Sequence, residues 1–172
     1  MDRPSLKKPI ALIGLPASGK TTVAQRLAGL LELPAQDLDR AIAREAGRDI
    51  PSIFAEEGED GFRERESRAL SLAADGETNV LATGGGVVLR PENRRVLKEK
   101  FFTVWLLVSP ETAARRSTGG SRPLLEGHDA ETRMRQLASE RTPLYEECAA
   151  LRMDTESRNP NEVAEAIYDA VR

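Results

Sequence analysis

The chain has 172 residues, which is the size of one ordinary domain and leaves no room for a second. Its 25 basic and 28 acidic side chains give a net charge of -3, which argues against nucleic acid as the main partner. No apolar run approaches the roughly 20 residues of a membrane span, and residues 1–8 lack the apolar segment of a signal peptide. A single cysteine and a single histidine exclude an internal disulfide and a Cys/His zinc site. We therefore expect a cytoplasmic protein that binds neither membranes nor nucleic acid. We also expect it to act as a monomer, although charge and composition do not bear on this.

Apolar runs typical of β-strands alternate along the chain with amphipathic helical stretches. These strand-like runs lie at 10–13, 80–82, 102–108 and 151–153. The alternation predicts βαβ units on a parallel sheet, and the unbroken apolar run at 102–108 predicts a central strand covered on both faces. A first helix is predicted over 21–33, where apolar residues recur at helical spacing until Pro34.

Two stretches depart from this alternation. Residues 40–74 are helical in composition with breaks at Gly47, Pro51 and Gly58, which predicts several short helices inserted on one side of the sheet. Residues 117–129 are Gly-rich and lack apolar periodicity, which predicts a mobile loop. Because no linker or repeat divides the chain, we expect a single domain over 1–172.

The strongest motif is Gly-Leu-Pro-Ala-Ser-Gly-Lys-Thr at 14–21, which matches the phosphate-binding loop (P-loop) pattern between a predicted strand and a predicted helix. In such a loop the backbone N–H groups surround phosphate oxygens, Lys20 reaches the terminal phosphates and the Thr21 hydroxyl ligates magnesium. The candidate nucleotide-binding residues are Gly14, Ala17, Ser18, Gly19, Lys20, Thr21 and Thr22. Ala17 would be strained if its position requires a positive φ.

Further candidates are acidic and glycine residues that follow predicted strands. Asp37 and Asp39 would share a face of an extended chain, so one could serve magnesium and the other a hydroxyl nucleophile. Alternatively, one of them only caps the following helix. The three glycines Gly84, Gly85 and Gly86 form either a plain tight turn or a place where a ligand lies directly on the backbone.

Three arginines occur in short motifs that are not diagnostic one by one. Arg63 and Glu66 are spaced so that on a helix the acid can hold the guanidinium, although a surface ion pair would have the same spacing. Arg122 precedes Pro-Leu-Leu inside the predicted loop, and Arg141 begins an Arg-x-Pro-Leu-Tyr sequence. His128 is expected to be solvated, and Cys148 to be a packed thiol.

Taken in order, six motifs of the chain resemble the shikimate kinase family over residues 10–171. They are the P-loop, Asp-x-Asp, Phe-Arg-x-x-Glu, Gly-Gly-Gly, Arg-Pro-Leu-Leu and Arg-x-Pro-Leu-Tyr. The resemblance implies a nucleoside-monophosphate-kinase-like α/β fold, with three αβα layers around a five-stranded parallel sheet. An acceptor-binding insertion over 37–66 and a lid over 116–128 are implied as well. The implied reaction is the ATP-dependent phosphorylation of the 3-hydroxyl of shikimate, on the route to chorismate and the aromatic amino acids.

The resemblance also assigns roles to the candidate residues. Lys20 and Thr21 would serve ATP and Mg²⁺, Asp37 would hold the magnesium through water, and Asp39 would contact the shikimate hydroxyls. Shikimate would be bound by Arg63, Arg141, Gly84, Gly85 and Gly86, with the two arginines on its carboxylate. Arg122 would reach the phosphates from the lid, which makes Lys20, Asp39 and Arg122 the implied catalytic residues, and Arg116 and Pro160 would flank the adenine.

Two alternatives stay open at this point. One is a P-loop kinase that phosphorylates another polyol acid, such as gluconate. The paired arginines Arg63 and Arg141, together with Asp39, favour a more compact hydroxylated carboxylate as the acceptor. The other is a ligand-sensing domain without turnover, which would have no need of the four residues Lys20, Asp37, Asp39 and Arg122.

Overall fold

The computed structural model describes residues 6–118 and 124–172, with side chains described for 6–118 and 129–172. The strands of this part are β1 (Ile10–Ile13), β2 (Ala35–Asp37), β3 (Val80–Ala82), β4 (Phe102–Leu107) and β5 (Leu151–Asp154). The α-helices are α1 (Lys20–Leu31), α2 (Leu38–Ala46), α3 (Ile50–Asp75), α4 (Pro91–Lys100), α5 (Pro110–Thr118), α6 (Leu124–Cys148) and α7 (Pro160–Val171). Among the described residues no helix is both long and apolar enough to cross a bilayer.

The strands form one parallel sheet in the order β2-β3-β1-β4-β5, which confirms the predicted five-stranded parallel sheet. Strand β4 pairs with β1 and β5 and is buried from Thr103 to Leu106, so the prediction of an interior strand is confirmed. The apolar pattern alone did not reveal β2, because this three-residue edge strand is largely exposed. All carboxyl ends lie at the same edge of the sheet, which is where ligands bind in open α/β folds.

Side chains of β1 alternate between two apolar layers. Ile10 and Leu12 pack with α1 and α7 on one face, while Ala11 and Ile13 pack with α2, α3, α4 and α6 on the other. Because both faces of the central strand are covered by helices, all four of these residues are fully buried. The predicted three-layer αβα arrangement is therefore confirmed.

The helical insertion after β2 is more continuous than predicted. Gly47 ends α2 with a φ of 67°, and Gly58 interrupts α3 with a φ of 71°, so these two breaks are real. Pro51 is not a break, and that prediction was wrong: it lies in the first turn of α3, just after the N-cap residue Asp49. In the first turn the missing N–H of proline removes no helical hydrogen bond, which is why the helix begins there.

The predicted loop over 117–129 is wrong at both ends. Helix α5 extends to Thr118, and α6 begins at Leu124. Packing between the two helices explains the difference, since Met134 of α6 buries against Ala113 and Ala114 of α5. Such tertiary contacts stabilise helical turns that sequence periodicity does not indicate. Residues 119–123, which include Arg122, lie outside the described part of the chain, as do residues 1–5.

Candidate active site

The P-loop, the Asp37–Asp39 segment and the three glycines after β3 meet at the carboxyl edge of the sheet. A cavity of about 420 Å³ is lined there by P-loop residues, by Asp37 and Asp39, and by Thr83, Gly84 and Gly85. The loop follows β1, the acids follow β2 and the glycines follow β3, so the parallel order of neighbouring strands brings the three segments together. Most of the residues that the sequence singled out therefore surround one space.

Positive φ angles occur at three positions of the P-loop: Gly14 at 149°, Ala17 at 63° and Gly19 at 94°. A Cβ on Gly14 would stand 2.7 Å from the Leu106 carbonyl oxygen, so no larger residue fits there. Gly19 directly precedes the first residue of α1. Ala17 therefore has the positive φ that was expected to strain it, and this conformation costs an L-residue about 1 kcal/mol or more.

Lys20 is folded back into the P-loop. Its Nζ donates to the Gly14 carbonyl at 2.7 Å and the Leu15 carbonyl at 2.8 Å, with the Ser18 hydroxyl at 3.4 Å. Only 8% of the residue is exposed, and this burial lowers the pKa of Lys20 to about 8, against the opposing attraction of Asp39. The ammonium group thus lies at the N-terminal end of α1, where anions are stabilised.

Asp37 caps a helix, as one of its two sequence interpretations expected, and it also contacts the P-loop. Its Oδ1 accepts from the Arg40 backbone N–H at 3.1 Å and caps α2, while its Oδ2 accepts from the Thr21 hydroxyl at 2.9 Å. A hydroxyl and a carboxylate are the oxygen donors that Mg²⁺ prefers. The described residues contain no cluster of three or more His, Cys, Asp or Glu side chains, so a magnesium ion here would take its other ligands from water and phosphate.

Asp39 lies in the first turn of α2, so the expectation that it shares an extended segment with Asp37 was wrong. It still faces the same cavity, because the chain turns from strand to helix between the two acids. Burial and the neighbouring Asp37 raise the pKa of Asp39, while Lys20 and Arg63 lower it. Its Oδ1 is buried without a hydrogen-bond partner among the described residues, which leaves a strong acceptor for a ligand hydroxyl.

The glycines Gly84 to Gly86 allow polar side chains to approach the backbone closely. A Cβ on Gly84 would lie 3.1 Å from Asp39 Oδ1, and one on Gly85 would lie 3.2 Å from Arg141 Nη1. On Gly86 a Cβ would overlap the Arg63 guanidinium. Each glycine therefore makes room for a different candidate residue, and we call Gly84, Gly85 and Gly86 the three-glycine wall.

Arg63 and Glu66 form a buried ion pair rather than a surface pair. Nη1 of Arg63 donates to Oε1 of Glu66 at 2.8 Å, and the two side chains are 12% and 1% exposed. Burial holds the pKa of Glu66 above its ordinary value, although Arg63 offsets part of this shift. Oε2 of Glu66 and Nε of Arg63 have no hydrogen-bond partner among the described residues. Glu66 therefore fixes Arg63 while leaving donor groups free for another anion.

Helix α6 contributes Arg141 and, one turn later, Tyr145. Nε of Arg141 is buried without a hydrogen-bond partner in the described part of the chain. The Tyr145 hydroxyl donates to the Gly85 carbonyl at 2.6 Å. Sequence reasoning did not identify Tyr145 as part of the site, although it belongs to the same Arg-x-Pro-Leu-Tyr motif as Arg141.

A second cavity of about 270 Å³ adjoins the other side of the P-loop, along Ser18, Gly19 and Thr22. Arg116 and Pro160 both line it, so the structure brings together the two residues expected to flank adenine. The guanidinium of Arg116 is held by the Thr155 carbonyl at 3.0 Å. Arg158 also lines this cavity and was not foreseen from the sequence. Arg122 lies outside the described residues, so its place in a lid stays a prediction.

Comparison with known proteins gives a consistent result. The family model described as shikimate kinase matches residues 16–172. The shikimate kinase of Symbiobacterium thermophilum is 44% identical over 166 residues, which cover 95% of each chain. The solved shikimate kinase from Acinetobacter baumannii in complex with shikimate superimposes with a TM-score of 0.89 at 37% identity, covering 98% of this chain and 94% of that one. For the shikimate kinase of Aquifex aeolicus the TM-score is 0.78 at 30% identity, covering 92% and 93%. The chain therefore belongs to the shikimate kinase family.

Proposed function

We propose that this protein transfers the γ-phosphoryl group of ATP to the 3-hydroxyl of shikimate, giving shikimate 3-phosphate and ADP. A bond forms between the hydroxyl oxygen and the γ-phosphorus as the bond to the β-phosphate oxygen breaks, and the hydroxyl proton passes to a base. Membership in the family supports this reaction. The observation in this chain that carries it is that Asp39, Arg63 and Arg141 meet at the three-glycine wall, close to Lys20 of the P-loop.

The acceptor is held by its carboxylate in this proposal. Arg63 and Arg141 both lie against the three-glycine wall, and the buried Nε of each makes no hydrogen bond among the described residues, although that of Arg63 lies 3.6 Å from Glu59 Oε1. Guanidinium groups bind carboxylates through paired, charge-assisted hydrogen bonds. Glu66 holds Arg63 in this orientation, because the buried Glu66 carboxylate accepts a hydrogen bond from one guanidinium nitrogen of Arg63.

Asp39 is the proposed base for the shikimate hydroxyl. Its unpartnered Oδ1 can accept a hydrogen bond from that hydroxyl, and its raised pKa makes it a better proton acceptor than an exposed aspartate. Lys20 and the lid residue Arg122 are proposed to offset the charge on the transferring phosphoryl group. Lys20 lies near Asp39 in the same cavity, so nucleotide and acceptor would meet there.

ATP is proposed to occupy the P-loop with its adenine in the second cavity, between Arg116 and Pro160. The Thr21 hydroxyl and, through water, Asp37 would hold Mg²⁺, since the pair already lies at 2.9 Å and offers hard oxygen donors. A bound ion would supply positive charge that neutralises part of the phosphate charge.

A coupled assay of ADP release tests the reaction. Shikimate, gluconate and nucleoside monophosphates are compared as acceptors, with Lys20→Ala prepared in parallel to detect a contaminating kinase. We expect ADP release to depend on shikimate and to disappear in the Lys20→Ala protein. A higher kcat/KM with gluconate would refute the choice of acceptor. Shikimate binding without any ADP release would instead indicate a sensing domain.

We further propose that the chain is a single domain that acts as a monomer in the cytoplasm, without nucleic acid or membrane partners. In this view residues 37–66 are the acceptor-binding insertion and residues 116–128 the lid. Light scattering of the purified protein, with and without ATP and shikimate, measures the oligomeric state. A dimer that forms in either condition would contradict the monomer proposal.

A further inference from the structure

The carbonyl groups of the three-glycine wall are held in two different ways. Those of Gly84 and Gly86 accept from the backbone N–H groups of Val87 and Leu89, in the turn that follows. The Gly85 carbonyl accepts instead from the Tyr145 hydroxyl, 60 residues later in the chain. The middle of the wall is therefore attached to helix α6 and not to its own turn.

Both ends of the wall are anchored independently of Tyr145. Before it, the Thr83 hydroxyl donates to the Leu12 carbonyl of β1 at 2.7 Å. After it, the Asn93 amide donates to the Val87 carbonyl at 3.0 Å. Between these anchors lie glycines, which have more backbone freedom than any other residue. Loss of the Tyr145 hydrogen bond would release Gly85, in the middle of the wall, without displacing the ends of the wall.

Tyr145 is itself rigidly placed. The residue is fully buried, and its ring packs against Trp105 of β4 with a centroid separation of 5.8 Å. Burial raises the pKa of Tyr145 to about 12, although the nearby Arg141 lowers it, so the hydroxyl keeps its proton throughout the physiological range. A phenol held in this way is a permanent donor to the Gly85 carbonyl.

We propose that Tyr145 is a positioning residue for the acceptor: its hydroxyl fixes Gly85 at the distance from Arg141 that shikimate requires. This inference rests on the proposed function, because it takes Arg141 and the glycine wall as the acceptor site. Arg141 precedes Tyr145 by one turn of α6, with Pro143 between them, so one face of the helix carries both the cation and the donor that orients the opposing backbone. Tyr145 itself is not proposed to touch shikimate.

The decisive variant is Tyr145→Phe, which keeps the ring and removes only the hydroxyl. Its matched control is Thr103→Val, which also removes one buried hydroxyl bonded to a backbone carbonyl, that of Leu97 at 2.7 Å. Thr103 lies near the start of β4, at the edge of the sheet opposite the site. Each change deletes the hydrogen bond that a buried hydroxyl donates to a backbone carbonyl, and Tyr145→Phe also removes the contact of that hydroxyl with Arg141. Both variants should lower the melting temperature by a few degrees.

Affinity for the two substrates separates positioning from stability. Calorimetric titration should show shikimate affinity weakened about tenfold in Tyr145→Phe, with ATP affinity within about twofold of the parent. In Thr103→Val both affinities should stay within about twofold of the parent. Steady-state kinetics of Tyr145→Phe should show the loss mainly in the KM for shikimate, and to the same extent between about pH 6 and pH 9, where the phenol does not titrate.

Trp105 fluorescence checks that the aromatic ring retained in Tyr145→Phe keeps its place against the indole. Should the variant be too unstable for calorimetry, the shifts in melting temperature caused by shikimate and by ATP give the same comparison. An unchanged ratio of shikimate to ATP affinity in Tyr145→Phe overturns the inference, because a purely structural role would leave that ratio as it is in Thr103→Val. A parent protein that fails to bind shikimate would instead refute the proposed function.

Discussion

Arg63 has two roles: it neutralises the buried Glu66 carboxylate, and it is proposed to bind the acceptor carboxylate. Arg63→Ala should therefore damage both the fold and acceptor binding. Arg141 makes an informative comparison, because it lies on the same wall but forms no ion pair among the described side chains. We expect Arg141→Ala to weaken shikimate binding and to lower the free energy of unfolding by much less than Arg63→Ala does.

The expected magnitude follows from the burial of the pair. Glu66 is 1% exposed, so removing Arg63 leaves a carboxylate without its cation, and breaking a buried pair in this way costs about 3–5 kcal/mol of stability. Loss of a charge-assisted hydrogen bond to shikimate costs about 1.5–3 kcal/mol, or roughly tenfold to a hundredfold in affinity, in either arginine variant. ATP affinity should change by no more than a few-fold.

The pH dependence gives a second, independent signature. Burial raises the pKa of Glu66 above its ordinary value, and without Arg63 that pKa should rise further. The folded state then binds more protons than the unfolded state, so stability falls as pH rises from the unfolded pKa through the folded one. The deficit of Arg63→Ala should therefore be largest near neutral pH and should shrink as the pH approaches about 4.5.

Urea denaturation at several pH values and calorimetric titration of shikimate measure the two effects. The double variant Arg63→Ala with Glu66→Gln removes the stranded charge at nearly constant volume, so it should recover much of the stability but none of the shikimate affinity. If Arg63→Ala were as stable as Arg141→Ala near neutral pH, or if its deficit did not depend on pH, the account of the buried pair would be wrong.

Three further predictions concern the nucleotide side. Ala17→Gly should stabilise the protein by up to about 1 kcal/mol in urea denaturation, because it relieves the positive φ of 63°; a destabilised variant would contradict the strain. The pKa of Lys20 is lowered to about 8, so slightly above that pH part of the protein has a neutral Lys20, which the negative charge of bound ATP should protonate. This proton uptake appears as a calorimetric binding enthalpy that varies with the ionisation enthalpy of the buffer. No uptake would show that Lys20 is already charged. Arg122→Ala should lower kcat far more than it weakens shikimate binding, and full rate at saturating shikimate would remove Arg122 from the catalytic role.

Local patterns were sufficient for much of the fold. Features that depend only on residues adjacent in sequence could be predicted from the sequence. They are the P-loop with its flanking strand and helix, the interior strand β4, and the helix breaks at Gly47 and Gly58. Edge strand β2 could not be recognised from its apolar pattern, because only three residues form it and they are largely exposed. The extent of α5 and α6 was also missed, since these helices stabilise each other by packing.

Motif order identified the family, and the sequence by itself therefore determined the class of chemistry and most of the candidate residues. Only the tertiary structure decided how those residues meet. It showed that Asp37 both caps α2 and holds Thr21, that Asp39 reaches the same cavity from a helix, and that the Arg63–Glu66 pair is buried. It also connected Tyr145 to Gly85 across 60 residues of chain. Burial and long-range hydrogen bonds depend on which distant segments come together, and no local spacing specifies that.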